Sequence, residues 1–366
     1  MTHRILHIVS SLDCFGTAKQ MLLLAAGLPR EEFEIHIAAL DPLGPASETA
    51  GQLGFEPVSM QRRGTLDAMA FWRLREHVRK LRPALVHTWQ FDANSYGRAA
   101  AISGKVPRIV ATERHIDRWK STRHWAIDRK LARRTDRMVV NSPAVRDFYT
   151  SAGIPPAKFT LVPSAVWSPQ AEAIPKTALL EQFRLPSEAK LIAFLGPLSI
   201  DKRIKELIWA TDQLKAVGLR AHLLIFGDGP LRSRLERYSR LNRTDDRVHF
   251  LGSRTDAANF LPHVDVLWQS GIHEGHSCAI LEAMAAGVPV VAADTPGNRE
   301  LVAPQETGYL APVGERAAFA RWTLPLLENA ELAGRMGLAG KERVRQHHLA
   351  AVMCEAHARL YRELLD

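Results

Sequence analysis

Along this chain, short runs of continuously apolar residues recur, each followed by a longer stretch with apolar positions at helical spacing. Arg108-Ile109-Val110-Ala111, Leu191-Ile192-Ala193-Phe194 and Val288-Pro289-Val290-Val291 do not alternate apolar with polar. A strand with one wet face must alternate, so runs of this kind suit parallel strands covered on both faces. Parallel neighbours need a crossover, normally a helix, and the alternation therefore predicts α/β, doubly wound sheets. Strands are expected at 4–9, 33–40, 54–59, 84–88, 107–112, 136–141 and 158–163. A second set is expected at 190–196, 220–226, 247–251, 264–268, 288–293 and 307–311.

At 366 residues the length suits two domains of about 150 residues or more each. Pro163, Pro169, Pro175 and Pro186 punctuate a stretch of little periodicity, so a linker is expected at 169–186. That places an N-terminal domain at 1–168 and a C-terminal domain at 187–344. The last segment, Lys341 to Leu365, carries Val344, Leu349, Val352, Met353, Ala356, Leu360 and Leu364 at helical spacing. Hydrophobic content of 46% and charged content of 24% are ordinary for a soluble protein. The apolar run Ile5-Leu6-His7-Ile8-Val9 is too short for a signal peptide. No uncharged apolar stretch reaches the roughly 18 residues of a membrane span. Cys14, Cys278 and Cys354 are far apart with no C-x-x-C pair, which argues against a disulfide framework or zinc site and for a cytoplasmic setting.

The net charge of +9 is unevenly spread. Residues 1–170 hold 24 Lys/Arg against 15 Asp/Glu, whereas the remainder holds 24 of each. The densest segment, Arg114 to Arg137, has nine basic and three acidic residues, with Trp119 and Trp125 among them. Such a patch suits an anionic partner, a membrane surface or a lipid-diphosphate acceptor, or else is a solvated helix face. Aromatic residues are sparse at 7% and no nucleic-acid motif interrupts the α/β pattern, so nucleic acid is not expected as a partner.

Doubly wound sheets bind ligands beyond the carboxyl ends of their strands. The loop that stands out there is Gly271-Ile-His-Glu-Gly-His-Ser-Cys-Ala-Ile-Leu-Glu282, with two glutamates eight apart. On one continuous helix, eight residues turn about 800°, leaving the pair roughly 80° off a common face. Gly275 and Ser277 suggest another arrangement, with Glu274 in the loop, Ser277 capping the helix and Glu282 inside it. The helix N-terminus then offers free N–H groups to a phosphate beside Glu274.

Glu-x7-Glu followed by Ala283-Met-Ala-Ala-Gly-Val-Pro-Val-Val-Ala292 resembles the signature of retaining glycosyltransferases of family 4 type. The resemblance runs over nearly the whole chain. Ser10-Ser11-Leu12 with Gly16-Thr17-Ala18 is similar to the family's first loop, and Gly196-Pro-Leu-Ser-Ile-Asp-Lys202 to its phosphate loop. Gly227-Asp-Gly-Pro-Leu-Arg232, Val248-His-Phe-Leu-Gly252 with Val264-Asp265-Val266, and Tyr361-Arg-Glu-Leu-Leu365 follow in the family's order. The resemblance implies the GT-B fold, two Rossmann-like domains facing a cleft, with a C-terminal helix at 345–366 packed back on the first domain.

The resemblance also implies roles. Glu274 would bind hydroxyls of the donor sugar and Glu282 the ribose. Backbone N–H groups around Gly275, His276 and Ser277 would face the diphosphate, with Cys278 beside them as a small helix residue rather than a nucleophile. Lys202 would neutralise the departing diphosphate. Pro197 stands where many members carry an arginine, and Arg203 is the candidate substitute; Ser164-Ala165 replaces a frequent Asn-Gly. Arg114 and His115 fall where the family places a basic residue near the reacting sugar, and the sequence leaves open which points inward. His87 either lines the same site or packs in the core. Gly16 would let the first loop approach the diphosphate.

No Asp-x-Asp closes a strand to hold a metal, and the family pattern implies metal-independent transfer with no cofactor beyond the nucleotide-diphosphate sugar. The acceptor is expected to be a lipid-linked or polysaccharide intermediate of a bacterial envelope, with the enzyme cytoplasmic or peripheral on the membrane. Two alternatives remain at this level: a nucleotide-sugar 2-epimerase on the same scaffold, and a non-catalytic basic binding module. A dehydrogenase is disfavoured because the first loop has one glycine, Gly16, instead of G-x-G-x-x-G.

Overall fold

The computed structural model describes residues 2–166 and 175–366, which separate into two compact units. The first comprises Met1–Ser164 with Ala350–Asp366, and the second Ala165–Leu349. In the first unit the strands are β1 (His3–Val9), β2 (Phe33–Ala39), β3 (Val58–Ser59), β4 (Leu85–Trp89), β5 (Arg108–Glu113), β6 (Arg137–Val140) and β7 (Phe159–Leu161). Its helices are α1 (Gly16–Gly27), α2 (Ala46–Gln52), α3 (Ala68–Leu81), α4 (Phe91–Ser103), α5 (Thr122–Ala132) and α6 (Pro143–Ser151). The second unit holds α7 (Lys176–Gln182), β8 (Lys190–Leu195), α8 (Ile204–Ala216), β9 (Ala221–Phe226), α9 (Arg232–Leu241), β10 (Val248–Gly252) and β11 (Val266–Gln269). It continues with α10 (Cys278–Ala285), β12 (Val290–Ala293), α11 (Pro296–Leu301), β13 (Gly308–Ala311), α12 (Arg316–Glu328) and α13 (Ala330–His347). The final helix, α14 (Ala350–Leu365), belongs to the first unit.

All thirteen expected segments contain a strand, and every strand pairing is parallel. The first sheet runs β3-β2-β1-β4-β5-β6-β7 and the second β10-β9-β8-β11-β12-β13. Both are Rossmann-like, with central strands wholly buried: Leu191 to Phe194 and Val290 to Ala292 are 0% exposed. That is why their sequences are apolar at consecutive positions. The expected strand at 54–59 shrinks to the two-residue edge strand β3, which meets only Ala38 and Ala39. Pro57 cannot donate to a ladder, and an edge strand needs little length.

Two expectations are corrected. A third of the linker expected at 169–186 lies outside the described residues, at 169–174. After Pro175 the residues Lys176–Gln182 form a helix, because proline suits a helix start, and Leu179 and Leu180 bury themselves in the second unit's core. The final helical pattern is two helices, not one. α13 ends at His347 with Val344 in the second unit's core, and His348 takes a non-helical φ of −131°. The His348 carbonyl accepts from Val166 N–H at 2.9 Å, before α14 begins. No helix of the described residues is long and apolar enough to cross a membrane.

Candidate active site

In the second sheet, successive strands run outward on one side from β8 to β10 and on the other from β11 to β13. The loops leaving β8 and β11 therefore part, and the crevice between them is where an open α/β sheet binds ligand. The loop after β8 is fixed by its neighbour. Leu198 N–H donates to the Asp228 carbonyl at 2.9 Å, and Leu231 N–H to the Leu198 carbonyl at 3.1 Å. A side chain at Gly227 would collide with the Gly196 carbonyl, so glycine there is a packing requirement.

The two loops at the switch point are joined. Ser270 donates its hydroxyl to the Lys202 carbonyl, and Ile272 N–H donates to the Asp201 carbonyl at 3.2 Å. Lys202 Nζ is bonded to Glu274 Oε1 and lies 3.2 Å from Asp201 Oδ2. Lys202 is 4% and Glu274 8% exposed, so the pair is formed inside the protein. Burial alone would push the Lys202 ammonium down, but Glu274 and Asp201 outweigh it and hold its pKa above the ordinary value. Asp201 is half-buried, which alone would raise its carboxyl, yet Lys202 and the Ser199 hydroxyl hold it below the usual range. The lysine is thus cationic at any physiological pH.

Beyond Glu274 the loop is braced from beneath. α11 starts after Thr295, which caps it by accepting from Asn298 N–H, and brings Gly297 against the carbonyls of Glu274 and Gly275. A Cβ at residue 297 would overlap both oxygens. His276 Nε2 is 2.8 Å from Glu300 Oε2 on the same helix. Ser277 stands at the N-cap position of α10 with extended backbone, but the expectation that its hydroxyl caps the helix is not met. The hydroxyl accepts instead from Gln269 Nε2 at 3.0 Å, because that amide is buried at the end of β11 and needs a partner. Cys278 opens α10, and Glu282 is half-buried in its second turn.

Arg203 does not join this cluster. It adopts the left-handed conformation (φ 51°) before α8 and pairs with Glu206 in that helix's first turn. Asp201, Glu300 and Gln269 are the participants that sequence reasoning passed over. Asp201 was in plain view beside Lys202, whereas Glu300 and Gln269 reach the loop only through tertiary contact.

The first unit presents its own row of loops at the carboxyl ends of β1, β4 and β5. Asp13 folds the first loop by accepting from Ser11 Oγ at 2.8 Å and from Phe15 N–H at 3.1 Å, and Gly16 then begins α1. Ser10 Oγ accepts from Ala93 N–H at 3.2 Å, tying this loop to the start of α4. Arg114 is buried and donates to Ser164 Oγ at 2.9 Å, to which Asn141 Nδ2 also donates at 3.2 Å. His115 is half-buried. His87 is wholly buried, its ring nitrogens 2.5 Å from Tyr361 Oη and 2.6 Å from Thr112 Oγ1, so it is a core residue.

Two all-parallel Rossmann-like units with a lysine–glutamate pair at the second unit's switch point have the architecture of the GT-B class. Residues 16–166 match the family model "Glycosyltransferase Family 4" and residues 175–343 match "Glycosyl transferases group 1". The two models lie in tandem over most of the chain, which belongs with the GT-B glycosyltransferases. It is 26% identical over 189 residues to N-acetyl-alpha-D-glucosaminyl L-malate synthase of Bacillus anthracis, covering 52% of this chain and 49% of that protein. The chain thus spans about half the length of that relative. It is 23% identical over 291 residues to the lipopolysaccharide core biosynthesis glycosyltransferase LpsD of Rhizobium meliloti, covering 79% of this chain and 78% of LpsD. A crystal structure of Anabaena Alr3699/HepE in complex with UDP-glucose superposes with a TM-score of 0.87 at 19% identity, over 99% of this chain and 100% of that one. At that identity the likeness is one of fold.

Proposed function

We propose that this protein moves a hexose-type sugar from a nucleotide-diphosphate donor to an acceptor hydroxyl, retaining the anomeric configuration. The observation that carries the reading is the buried Lys202–Glu274 pair between the loops after β8 and β11. The likeness to a protein held with UDP-glucose supports the donor class. In this reading the donor diphosphate lies against the N–H groups of Gly275, His276 and Ser277, with Glu282 on the ribose. Lys202 is held cationic before the donor arrives, so its charge meets the developing diphosphate without reorganisation. Glu274 orients the sugar through its hydroxyls. The bond from the anomeric carbon to the diphosphate oxygen breaks as the acceptor oxygen bonds on the same face. The acceptor proton passes to the departing oxygen, and no metal is required. Arg114 or His115 is the proposed basic residue near the reacting sugar.

The acceptor class proposed is a lipid-linked or polysaccharide intermediate, a reading in keeping with the relative named for lipopolysaccharide core synthesis. A peripheral membrane contact is proposed through the exposed face of α5, where Arg123 and Lys130 flank Ile127, near Trp119. The comparisons give the epimerase alternative no support.

The test is a panel of UDP-, GDP-, ADP- and dTDP-sugars, with and without EDTA, scored for released nucleotide diphosphate. EDTA-resistant release from one donor, lost in Lys202→Ala and Glu274→Ala proteins that still melt cooperatively, is the expected result. No binding of any donor by the folded wild type would remove the reading.

A further inference from the structure

The amino ends of β1, β4 and β5 lie at the opposite edge of the first sheet from Ser10, Gln90 and Arg114. Two hollows open there, of about 1010 Å³ and about 350 Å³, and they meet at Lys105, Val106 and Pro107. The larger is lined by Arg4, Arg79, Lys80, Arg82 and Lys105. The smaller adds Arg133, Arg134 and Lys158. Against these eight cations stand three carboxylates, Glu34, Glu76 and Asp136, an excess of five positive charges with His3 left aside.

Part of that excess answers a local need. α3, α4 and α5 all end at the groove, and each helix C-terminus carries about half a negative charge, roughly 1.5 in total. More than half of the excess is left over. Its members are identifiable: Arg4 pairs with Glu34 at 3.1 Å, Arg79 with Glu76 at 3.2 Å, and Lys158 Nζ donates to the Thr135 carbonyl at 2.7 Å. Among the described residues, the side chains of Lys80, Arg82, Lys105, Arg133 and Arg134 have neither a hydrogen bond nor an ion pair. Five unpaired cations along one recessed track repel one another, and an anion that neutralises them relieves that repulsion.

The shape and lining select the anion. The track is concave and has no aromatic side chain on which bases could stack, which disfavours single-stranded nucleic acid. It is recessed and has none of the exposed apolar anchors that a bilayer rewards; Trp119 and Ile127 are not in its lining. We propose that this groove binds a linear acidic polysaccharide, a chain of hydroxyl-rich units with negative charge at intervals, as a second site distinct from that of sugar transfer. The proposal does not depend on the transferase reading, because binding is measured without a donor.

The experiment follows the anisotropy of labelled oligogalacturonate on the full chain at low and at raised salt, with neutral dextran as control. Two variants accompany the wild type. Arg82→Gly with Lys105→Gly removes two cations at positions with φ of 51° and 58°, where glycine is the less strained residue, so folding is not put at risk. Arg133→Glu with Arg134→Glu reverses charge in the smaller hollow. Expected are binding that weakens steeply with salt, a roughly tenfold or greater loss in each double variant, no binding of dextran, and melting temperatures no lower for the glycine variant. Absence of binding, or binding by both double variants equal to that of wild type, overturns the proposal. If polyglutamate or phosphatidylglycerol vesicles displace the glycan at equal charge concentration, the groove recognises charge alone and the polysaccharide assignment falls.

Discussion

Two buried carboxyl groups, a third that is partly exposed and two cations share one cluster of the first unit. Lys120 Nζ lies 2.9 Å from Asp128, 3.2 Å from Asp117 and 3.7 Å from Glu113, while Arg98 binds Asp128 at 2.5 Å. With one carboxyl group too many, the cluster is balanced when one retains its proton. Burial, then the charges of Asp128 and Asp117, push Glu113 up to about 7 against the pull of Lys120. The folded state therefore holds a proton between about 4.5 and 7 that the unfolded chain has lost, and stability falls as pH rises through that window. Glu113→Gln keeps the neutral form, so its melting temperature relative to wild type should rise with pH across the same range. A difference independent of pH would place the proton elsewhere. At Gly297 the issue is space. Gly297→Ala drives a methyl group into the carbonyls of Glu274 and Gly275, an overpacking of about 1–3 kcal/mol that the loop can relieve only by moving. Nucleotide binding by calorimetry should fall further than the melting temperature does; unchanged binding would mean that the loop has slack.

α14 shows how one element is held by chemistry that fails in acid. It packs on α1 and lays His357 and Tyr361 over His7, His87 and Trp89. Tyr361 meets His87, Trp89 Nε1 donates to His7 Nδ1 at 3.0 Å, and Arg362 grips Glu32 at 2.7 and 2.9 Å on the surface. Burial first, and then the neighbouring histidine, push His7 down to about 3; burial pushes His357 down to about 4. Both must stay neutral in the folded state, whereas the unfolded chain protonates them near 6.5. Stability is accordingly present above 6.5 and lost as pH falls toward 4. At about pH 5, His357 alone should remove on the order of 2 kcal/mol. Thermal melts of His357→Leu should decline less steeply than wild type between about pH 7 and 5. Parallel slopes would show that α14 does not report the histidine cluster.

Over the whole molecule, charge is divided as sharply as the fold. All of the +9 lies in residues 1–170, but the basic segment Arg114–Arg137 does not act as one patch. Arg114 and Lys120 turn inward, Arg133 and Arg134 line the groove, and Arg123, Arg129 and Lys130 remain on the outer surface of α5. Arg123, Ile127 and Lys130 fall at i, i+4 and i+7, one face of the helix. Reversing Arg123 and Lys130 to Glu should weaken binding to anionic vesicles by several kcal/mol in total, at about 1 kcal/mol per unit of charge removed or reversed, and leave donor hydrolysis intact. Vesicle binding equal to wild type would remove the membrane contact.

Periodicity is a local property, and strands buried on both faces announce themselves; hence the parallel sheets and all thirteen strand positions were legible in the sequence. So was the glutamate pair, because a loop residue and a helix residue eight apart can be placed from the glycine and serine between them. Pairing is different. The link from Glu300 to His276 spans 24 residues, that from Lys202 to Glu274 spans 72, and that from His87 to Tyr361 spans 274. No local pattern encodes such contacts. The same physics redirected two local readings. The Ser277 hydroxyl accepts from a buried amide instead of capping α10, and part of the proline-rich stretch becomes a helix because Leu179 and Leu180 find a core to enter. Sequence determined which segments form strands and helices and which loops carry chemistry. Tertiary structure alone decided which charges are paired, because desolvation and distance set that balance and both exist only after the chain has folded.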